Sequence, residues 1–130
     1  MRDRVDFYAV YIKEAHPTDG WRSSGNDRVG IQIKQATSFE ERVKAASKCC
    51  GALHMTIPMM VDGMDNRVGE AYSGFPDRLY VINRNRKVVY KGGRGPFGFI
   101  PREMEQSLHL TLLEQGLEDV AAEAARTGAK

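Results

Sequence analysis

The fold is decided near the start of the 130-residue sequence by Val5-Asp-Phe-Tyr-Ala-Val-Tyr-Ile12. This nearly continuous apolar run is rich in β-branched and aromatic residues, a pattern typical of a buried strand. The segment from Lys13 to Gln35 that follows is loop-like, and a loop longer than about 12–15 residues in a compact domain is usually functional or disordered. We therefore expect a strand with a functional loop at its carboxyl end, where ligand crevices of α/β sheets lie.

A helix is predicted to follow this loop. Ser38 and Glu41 have capping-box spacing, which marks a helix start. Gly51 is expected to end the helix. Helical spacing predicts an apolar face made of Phe39, Val43, Ala46 and Cys50.

The middle of the chain predicts a second strand at Pro58–Val61 and a turn at Asp62–Asn66. A short helix at Arg67–Tyr72 follows in this prediction. We expect its side chains Val68 and Tyr72 to point inward.

The last third predicts a β-hairpin and a helix. Two strands at Leu79–Ile82 and Val88–Tyr90 are joined by Asn83–Arg86, a hairpin signature. A helix is expected from Pro101, with Met104, Leu108 and Leu112 on its apolar face. The residues from Leu117 onward are alanine-rich and predict a last helix or a frayed tail.

Strands alternating with helices predict the α/β class, a sheet covered by helices. The terminal hairpin and helix are similar to the end of a thioredoxin-like fold, which is an analogy at the level of the fold.

Composition excludes several classes of protein. A net charge of +2, with 42% hydrophobic and 28% charged residues, is ordinary for a globular domain and too even for binding nucleic acid. The longest apolar run, Phe7–Ile12, is far shorter than the ~20 residues of a membrane helix. The sequence opens on charged residues, so we expect no signal peptide at this start. The adjacent Cys49 and Cys50 predict no disulfide framework, so we expect a reducing, cytoplasmic location.

Two segments carry candidate chemistry. His16 can donate a hydrogen bond to an anionic or phenolic oxygen or relay a proton, although a loop histidine can equally bond the backbone alone. In Lys91–Gly98, glycines allow close approach of a ligand, and Arg94 can bind a carboxylate. Cys49 and Cys50 are poor nucleophile candidates because they end a predicted helix. The scattered histidines have no metal-ligand spacing, and no cofactor motif is present, so neither a metal nor a cofactor is predicted.

Five motifs together resemble the iodothyronine deiodinase family. They are Val10-Tyr-Ile-Lys-Glu-Ala-His-Pro-Thr-Asp-Gly-Trp21, Val61-Asp-Gly-Met-Asp-Asn66, Ala71-Tyr72, Arg78-Leu-Tyr-Val-Ile82 and Tyr90-Lys-Gly-Gly-Arg-Gly-Pro96. The resemblance covers about Val5 to Leu112. It implies a thioredoxin-like fold akin to peroxiredoxins and a reductive dehalogenase, which removes iodide from an iodinated phenolic ring with a selenocysteine or cysteine nucleophile and an external thiol reductant.

The resemblance also assigns roles to residues. It places His16 at the substrate as a catalytic and binding residue, and Arg94 at the substrate's amino-acid end. It places Asp77 in a polar network with the catalytic site. Trp21 and Asp19 would shape the loop over the substrate. Phe75-Pro76 matches the place of a cis-proline in related folds.

The sequence departs from the family in two places. Ala36 stands where the family has a second histidine, which weakens the case for a thyroid-hormone-like substrate and for a proton relay. The family's nucleophile belongs to a strand–turn–helix unit upstream of the strand that matches Val5–Ile12. We therefore expect a thioredoxin-like domain at residues 1–115 that lacks its first strand–helix unit, followed by an alanine-rich tail or helix at residues 116–130.

Three explanations of that gap remain open. In the first, the start of the chain was assigned at an internal Met because an upstream selenocysteine codon was read as a stop codon. In the second, the chain is a cropped piece of a longer product. In the third, the chain is a true short variant that completes its sheet with another chain. The expected partners are a small halogenated phenol and a thiol reductant, and a homodimer is expected by resemblance. Two alternatives stay open: a peroxiredoxin-like thiol oxidoreductase, and a non-catalytic binding module that uses His16 and Arg94.

Overall fold

The computed structural model describes residues 3–15 and 33–128 of the chain. Within these ranges it contains four strands and four helices. In chain order they are β1 (Ala9–Tyr11), α1 (Phe39–Ala52), β2 (Met59–Val61), α2 (Arg67–Ala71), β3 (Tyr80–Ile82), β4 (Val88–Lys91), α3 (Gly95–Gly98) and α4 (Pro101–Gly128). The chain divides into two units, Met1–Pro76 and Asp77–Lys130.

The first unit is built on a parallel pair of strands, β1 and β2. Ala9 pairs with Met59 and Tyr11 with Val61, and the amide of Asp62 extends the ladder by donating to the Tyr11 carbonyl at 2.8 Å. Both predicted strands are therefore confirmed, but each has only three residues. The expectation of a fully buried first strand is wrong, because Val10 and Met60 alternate out of the covered face and are exposed.

Helix α1 begins as predicted. Ser38 is its N-cap, and its hydroxyl accepts from the Glu41 amide at 3.2 Å. Glu41 in turn accepts from the Thr37 amide at 2.7 Å and from the Thr37 hydroxyl at 2.8 Å. The Ser38 hydroxyl thus satisfies one of the amides that a helix start leaves without partners, and the Glu41 carboxylate ties Thr37, the residue before the N-cap, to the first turn.

The predicted end of α1 at Gly51 is wrong, since the helix continues through Ala52. It ends in a Schellman arrangement, in which His54 donates to the Gly51 carbonyl and Met55 to the Cys50 carbonyl. His54 adopts the left-handed conformation, with φ 50°, that a glycine commonly takes there. The stop signal was misread because a histidine occupies the position.

The predicted apolar face of α1 is wrong in part. Ala46 is buried and Cys50 half-buried, but Phe39 is 49% and Val43 38% exposed. Arg42 is buried instead, with 3% exposure. Its guanidinium finds backbone acceptors in the turn after β2, and these contacts bring the Arg42 side of the helix inward.

Helix α2 begins at Arg67, directly after the predicted turn, as expected. Its predicted inward face is wrong, because Val68 and Tyr72 are both exposed. The helix is attached by its backbone rather than its side chains, since the Val68 and Gly69 amides donate to the carboxylate of Asp62.

The second unit contains the predicted hairpin. Strands β3 and β4 are antiparallel, with Tyr80 paired to Lys91 and a register irregularity between Val81 and Ile82. The Asn83 side chain accepts from the amides of Asn85 and Lys87, both at 3.0 Å. This Asx-type contact explains why the turn forms at Asn83.

Helix α4 packs against both strands of the hairpin. Leu108 is buried and Met104 and Leu112 are half-buried, so the predicted apolar face is confirmed. The helix continues unbroken to Gly128. The domain boundary after residue 115 stays a prediction.

The described strands and helices confirm the α/β class. Their strands form two separate two-stranded sheets, β1–β2 and β3–β4. The thioredoxin-like fold and its missing first unit stay predictions.

Candidate functional site

Two of the predicted site residues, His16 and Trp21, lie outside the described residues, as does Asp19. The other two, Asp77 and Arg94, are described and belong to the second unit. The surroundings of the candidate residues are therefore described separately for each unit: the glycine-rich loop around Arg94 in the second, and the segment that follows β1 in the first.

The glycine-rich loop is held from both sides by the residues that precede β3. The carboxylate of Asp77 accepts from the Gly95 amide at 2.8 Å. Arg78 donates through Nε to the Gly92 carbonyl at 2.6 Å. Gly95 is buried and has φ +71°, a conformation that side chains rarely adopt. These contacts give the loop one backbone conformation.

The glycines of this loop are required by close backbone packing. A Cβ on Gly93 would lie 2.7 Å from the Gly98 Cα, and a Cβ on Gly98 would lie 2.5 Å from the Gly93 carbonyl carbon. No real side chain tolerates such distances to backbone atoms. The glycine-rich pattern is therefore a requirement of the tight turn around Arg94.

Arg94 is exposed in this turn and has an extended backbone, with φ −104° and ψ 152°. A planar guanidinium offered by a fixed loop suits a carboxylate ligand, because two N–H groups can donate in parallel. Phe97, three residues later, is 95% exposed. Sequence reasoning did not single out Phe97, whose only signal was its place inside the glycine loop.

The predicted catalytic residue Asp77 bonds to the backbone of this loop. That contact gives it a positioning role with respect to Arg94. A direct part for Asp77 in the reaction stays a prediction.

The end of β1 carries a polar pair that sequence reasoning missed. The Tyr11 hydroxyl donates to Glu14 Oε2 at 2.8 Å. Burial, together with this neighbouring carboxylate, raises the pKa of Tyr11 well above its usual range. The Gln35 side chain accepts from the Glu14 amide and donates to the Glu14 carbonyl, both at 3.2 Å. The chain two residues before His16 is therefore tied to the segment that precedes α1.

Residues around this pair include a cation over an aromatic ring. The Lys13 ammonium lies 4.5 Å from the centroid of the Phe75 ring. The Phe75-Pro76 peptide bond is cis, which confirms that prediction. Ala36, the residue in place of the family's second histidine, is half-buried.

Two buried charged side chains, Arg42 and Asp62, make hydrogen bonds to the backbone at the carboxyl end of β2. Arg42 donates to the carbonyls of Asp62 and Gly63 and to the Asn66 side chain. The Asp62 carboxylate is 2% exposed and accepts from the Val68 amide at 3.1 Å and the Gly69 amide at 2.8 Å. We call these two residues the polar brace. Nothing in the sequence periodicity predicted it.

The two free cysteines, Cys49 and Cys50, lie at the carboxyl end of α1 and are both half-buried. Burial is the main cause that raises the pKa of Cys49, and the nearby Glu14 carboxylate adds to it. Cys50 makes a weak contact with the Met55 carbonyl, with its sulfur 3.9 Å from the oxygen. Both belong to the last turn of α1, the negative end of the helix dipole.

A search of the described residues finds no group of three or more His, Cys, Asp or Glu placed to hold a metal ion. No described helix combines the length and apolar character that crossing a membrane requires.

Comparison with known proteins identifies one family. A family model described as iodothyronine deiodinase matches residues 1–111. The chain is 41% identical over 106 residues to the thyroxine 5-deiodinase of Sparus aurata, which covers 82% of this chain and 38% of that protein. It is 37% identical over 113 residues to the type II iodothyronine deiodinase of Neoceratodus forsteri, covering 84% and 41%.

A third relative, the thyroxine 5-deiodinase of Gallus gallus, is 42% identical over 97 residues, which covers 75% of this chain and 36% of that protein. The chain thus spans about two-fifths of the length of the curated relatives it matches. Because the family model covers most of its residues, the chain belongs to the iodothyronine deiodinase family.

Proposed function

We propose that this chain is part of a reductive dehalogenase that removes iodide from an iodinated phenolic ring with a thiol reductant. Family membership supports the reaction class, because the matched relatives are named for deiodination. The observation that carries the assignment of a binding residue is the fixed loop around Arg94, whose backbone is held by Asp77 and Arg78.

In this proposal Arg94 binds the carboxylate at the amino-acid end of the substrate. An exposed arginine on a rigid turn loses little conformational entropy on binding, since its backbone is already ordered. Asp77 acts by holding the Gly95 amide and hence the turn. His16 and Trp21 are proposed as substrate-binding residues by motif alone, with His16 also serving as a proton donor or relay.

The chemistry needs a nucleophile that the described residues do not supply, because Cys49 has a raised pKa and Cys50 lies beside it at the negative end of α1. We propose a selenocysteine or cysteine in a segment that precedes this sequence. Its selenolate or thiolate would take the iodine, while the ring carbon keeps the electron pair of the broken C–I bond and receives a proton. The products are the deiodinated phenol and an enzyme selenenyl or sulfenyl iodide.

Two thiols complete the cycle in this proposal. They reduce the enzyme iodide, release iodide ion, regenerate the enzyme selenolate or thiolate, and leave as one disulfide with two protons. The thiol is a co-substrate, and no resident cofactor is needed. Such a reductant is abundant in a reducing compartment, so we place the protein in the cytoplasm.

Binding by Arg94 can be tested on the chain itself. Equilibrium dialysis with an iodinated phenolic amino acid should show roughly tenfold to 100-fold weaker binding for Arg94→Ala, the loss typical of a charge-assisted contact. The matched control is Arg102→Ala, which removes the same charge from an exposed position at the start of α4. Equal losses in both variants would contradict a binding role for Arg94.

Turnover tests the reaction itself. A chain extended by its upstream codons should release iodide from the phenol only when a thiol is present. Consumption of peroxide without iodide release would instead support a thiol peroxidase. Ligand binding with neither activity would support a binding module.

A further inference from the structure

The side chain of Phe97 is almost wholly exposed on the glycine-rich loop around Arg94. Its exposed fraction, 95%, is the largest among the large apolar side chains of the described residues, and Val120 follows at 69%. Single exposed apolar residues are common, because a protein has too little polar surface to cover itself. Phe97 differs from most of them in the backbone that carries it, which is fixed by contacts within the loop.

The loop holds the backbone of Phe97 without packing its ring. The Phe99 amide donates to the Gly95 carbonyl at 3.0 Å, which closes the single turn of α3. The backbones of Gly93 and Gly98 lie so close together that a Cβ on either would overlap the other. The ring of Phe97 therefore projects from a backbone that is already ordered, and a ligand that contacts it need not order the loop on binding.

Arg94 and Phe97 flank this single turn. Arg94 is the N-cap residue of α3, and Phe97 lies three residues later. Side chains three residues apart on a helical turn are neighbours. Since both are exposed, the loop presents a planar cation and an apolar ring side by side.

The charge of the surrounding sequence favours an anionic ligand at this loop. From Arg78 to Arg102 the chain contains no acidic residue. The carboxylates that border this stretch both have partners. Asp77 accepts from the loop backbone at 2.8 Å, and Glu103 accepts from the Tyr90 hydroxyl at 3.4 Å.

We propose that Phe97 is a specificity-determining residue, whose ring packs against the aromatic ring that carries the substrate's amino-acid chain while Arg94 binds the carboxylate. This inference rests on the proposed function, because it adds a second contact to the ligand that Arg94 is proposed to hold. In an aromatic amino acid two saturated carbons separate the carboxylate from the ring, a span that suits two neighbouring side chains. Aromatic pairs gain free energy beyond the area they bury. The loop therefore selects aromatic carboxylates over aliphatic ones.

The ligand selectivity of the full 130-residue chain tests the proposal. The probes are diiodotyrosine and free leucine, which has the same carboxylate and amino group but no ring. In a titration followed by amide chemical shifts, the wild-type chain should bind diiodotyrosine at least about tenfold more tightly than leucine. Phe97→Ala should weaken the binding of diiodotyrosine roughly tenfold and leave that of leucine unchanged. Phe97→Tyr should keep the wild-type selectivity, because it keeps the ring.

The matched control is Phe39→Ala. It removes the same ring from a position that is 49% exposed at the start of α1, in the first unit. It should leave both affinities unchanged. Circular dichroism establishes that each variant keeps its helices.

The outcomes separate this inference from the proposed function. If Arg94→Ala weakens the binding of both probes and Phe97→Ala weakens neither, the role of Phe97 is overturned while that of Arg94 stands. If Arg94→Ala leaves both affinities unchanged, the carboxylate site falls and this inference falls with it. Equal weakening of both probes by Phe97→Ala would show a disturbed loop rather than a lost ring contact, and would also overturn the inference.

Discussion

Arg42 and Asp62 are buried as deeply in the first unit as Val81 and Leu108 are in the second. The core of the first unit thus contains directional hydrogen bonds from charged side chains beside the apolar Ile33 and Ala46, whereas the core of the second is built on apolar contact between a hairpin and a helix. Directional bonds admit few substitutes, whereas apolar contact tolerates side chains of similar volume. The comparison teaches that the first unit, which leads to His16, has the more strictly specified geometry.

The largest effect is expected from Asp62→Ala. This change removes a buried carboxylate that accepts hydrogen bonds from two amides at the start of α2. A hydrogen bond to a charged group contributes up to about 3 kcal/mol, so the free energy of unfolding should fall by roughly 3–5 kcal/mol. Denaturant unfolding of the full chain measures it.

The matched control is Asp65→Ala in the same turn, where an exposed carboxylate accepts from the Arg67 amide at 3.3 Å. It should cost below about 1 kcal/mol. Equal losses for Asp62→Ala and Asp65→Ala would show that the polar brace does not hold the first unit.

A smaller loss is expected from Leu108→Ala in the second unit. Removing a buried leucine leaves a cavity and should cost about 2–4 kcal/mol. Leu108→Met should cost less than about 1.5 kcal/mol because it conserves volume. If Leu108→Met were as damaging as Leu108→Ala, the contrast between the two units would fail.

Two glycines, one in each unit, differ in backbone conformation and should respond differently to substitution by alanine. Gly51 is inside α1, and a methyl group added to its Cα would meet nothing within 4 Å, so Gly51→Ala should raise the free energy of unfolding by about 0.5–1 kcal/mol. Gly95→Ala should instead lower the free energy of unfolding by about 1 kcal/mol, because Gly95 has φ +71°. Thermal unfolding of both variants measures this, and a loss at Gly51 would argue that it does end the helix.

The smallest effect concerns the start of α1. Hydrogen bonds from the Thr37 amide and hydroxyl lower the pKa of Glu41. A carboxylate with a lowered pKa adds stability above its unfolded pKa of about 4.3, and that stability is lost as the pH falls through its folded pKa.

The difference in melting temperature between the wild-type chain and Glu41→Gln should therefore be seen at neutral pH and shrink in acid. Glu40→Gln, in the same first turn, is the control. A difference that stays constant down to the acid range would contradict a stabilising role of the Glu41 carboxylate.

Much of the fold was predictable where the signal is local. The cap at Ser38, the hairpin turn at Asn83 and the face of α4 around Leu108 depend on residues within a few positions of each other. The end of α1 was missed although it is local, because His54 takes a conformation that sequence rules assign to glycine.

The candidate site was predictable only through its motifs. Arg94 was singled out by its glycine-rich segment as well as by resemblance, and Asp77 by resemblance alone. That Asp77 holds the Gly95 amide follows from a contact between residues 18 positions apart in the chain. The contact of Gln35 with Glu14 was missed because it joins segments 21 residues apart, whereas the Tyr11–Glu14 contact is local and no sequence pattern marked it.

The amino-acid sequence alone determined the order of strands and helices, the glycine-rich turn around Arg94 and the family to which the chain belongs. Only the tertiary structure decided that Arg42 is buried instead of Phe39, that Asp62 anchors α2, and that large apolar side chains of α4 stay exposed. The reason is physical. Local propensity sets which segments become helices and strands, whereas burial depends on which polar and apolar partners the folded chain brings together.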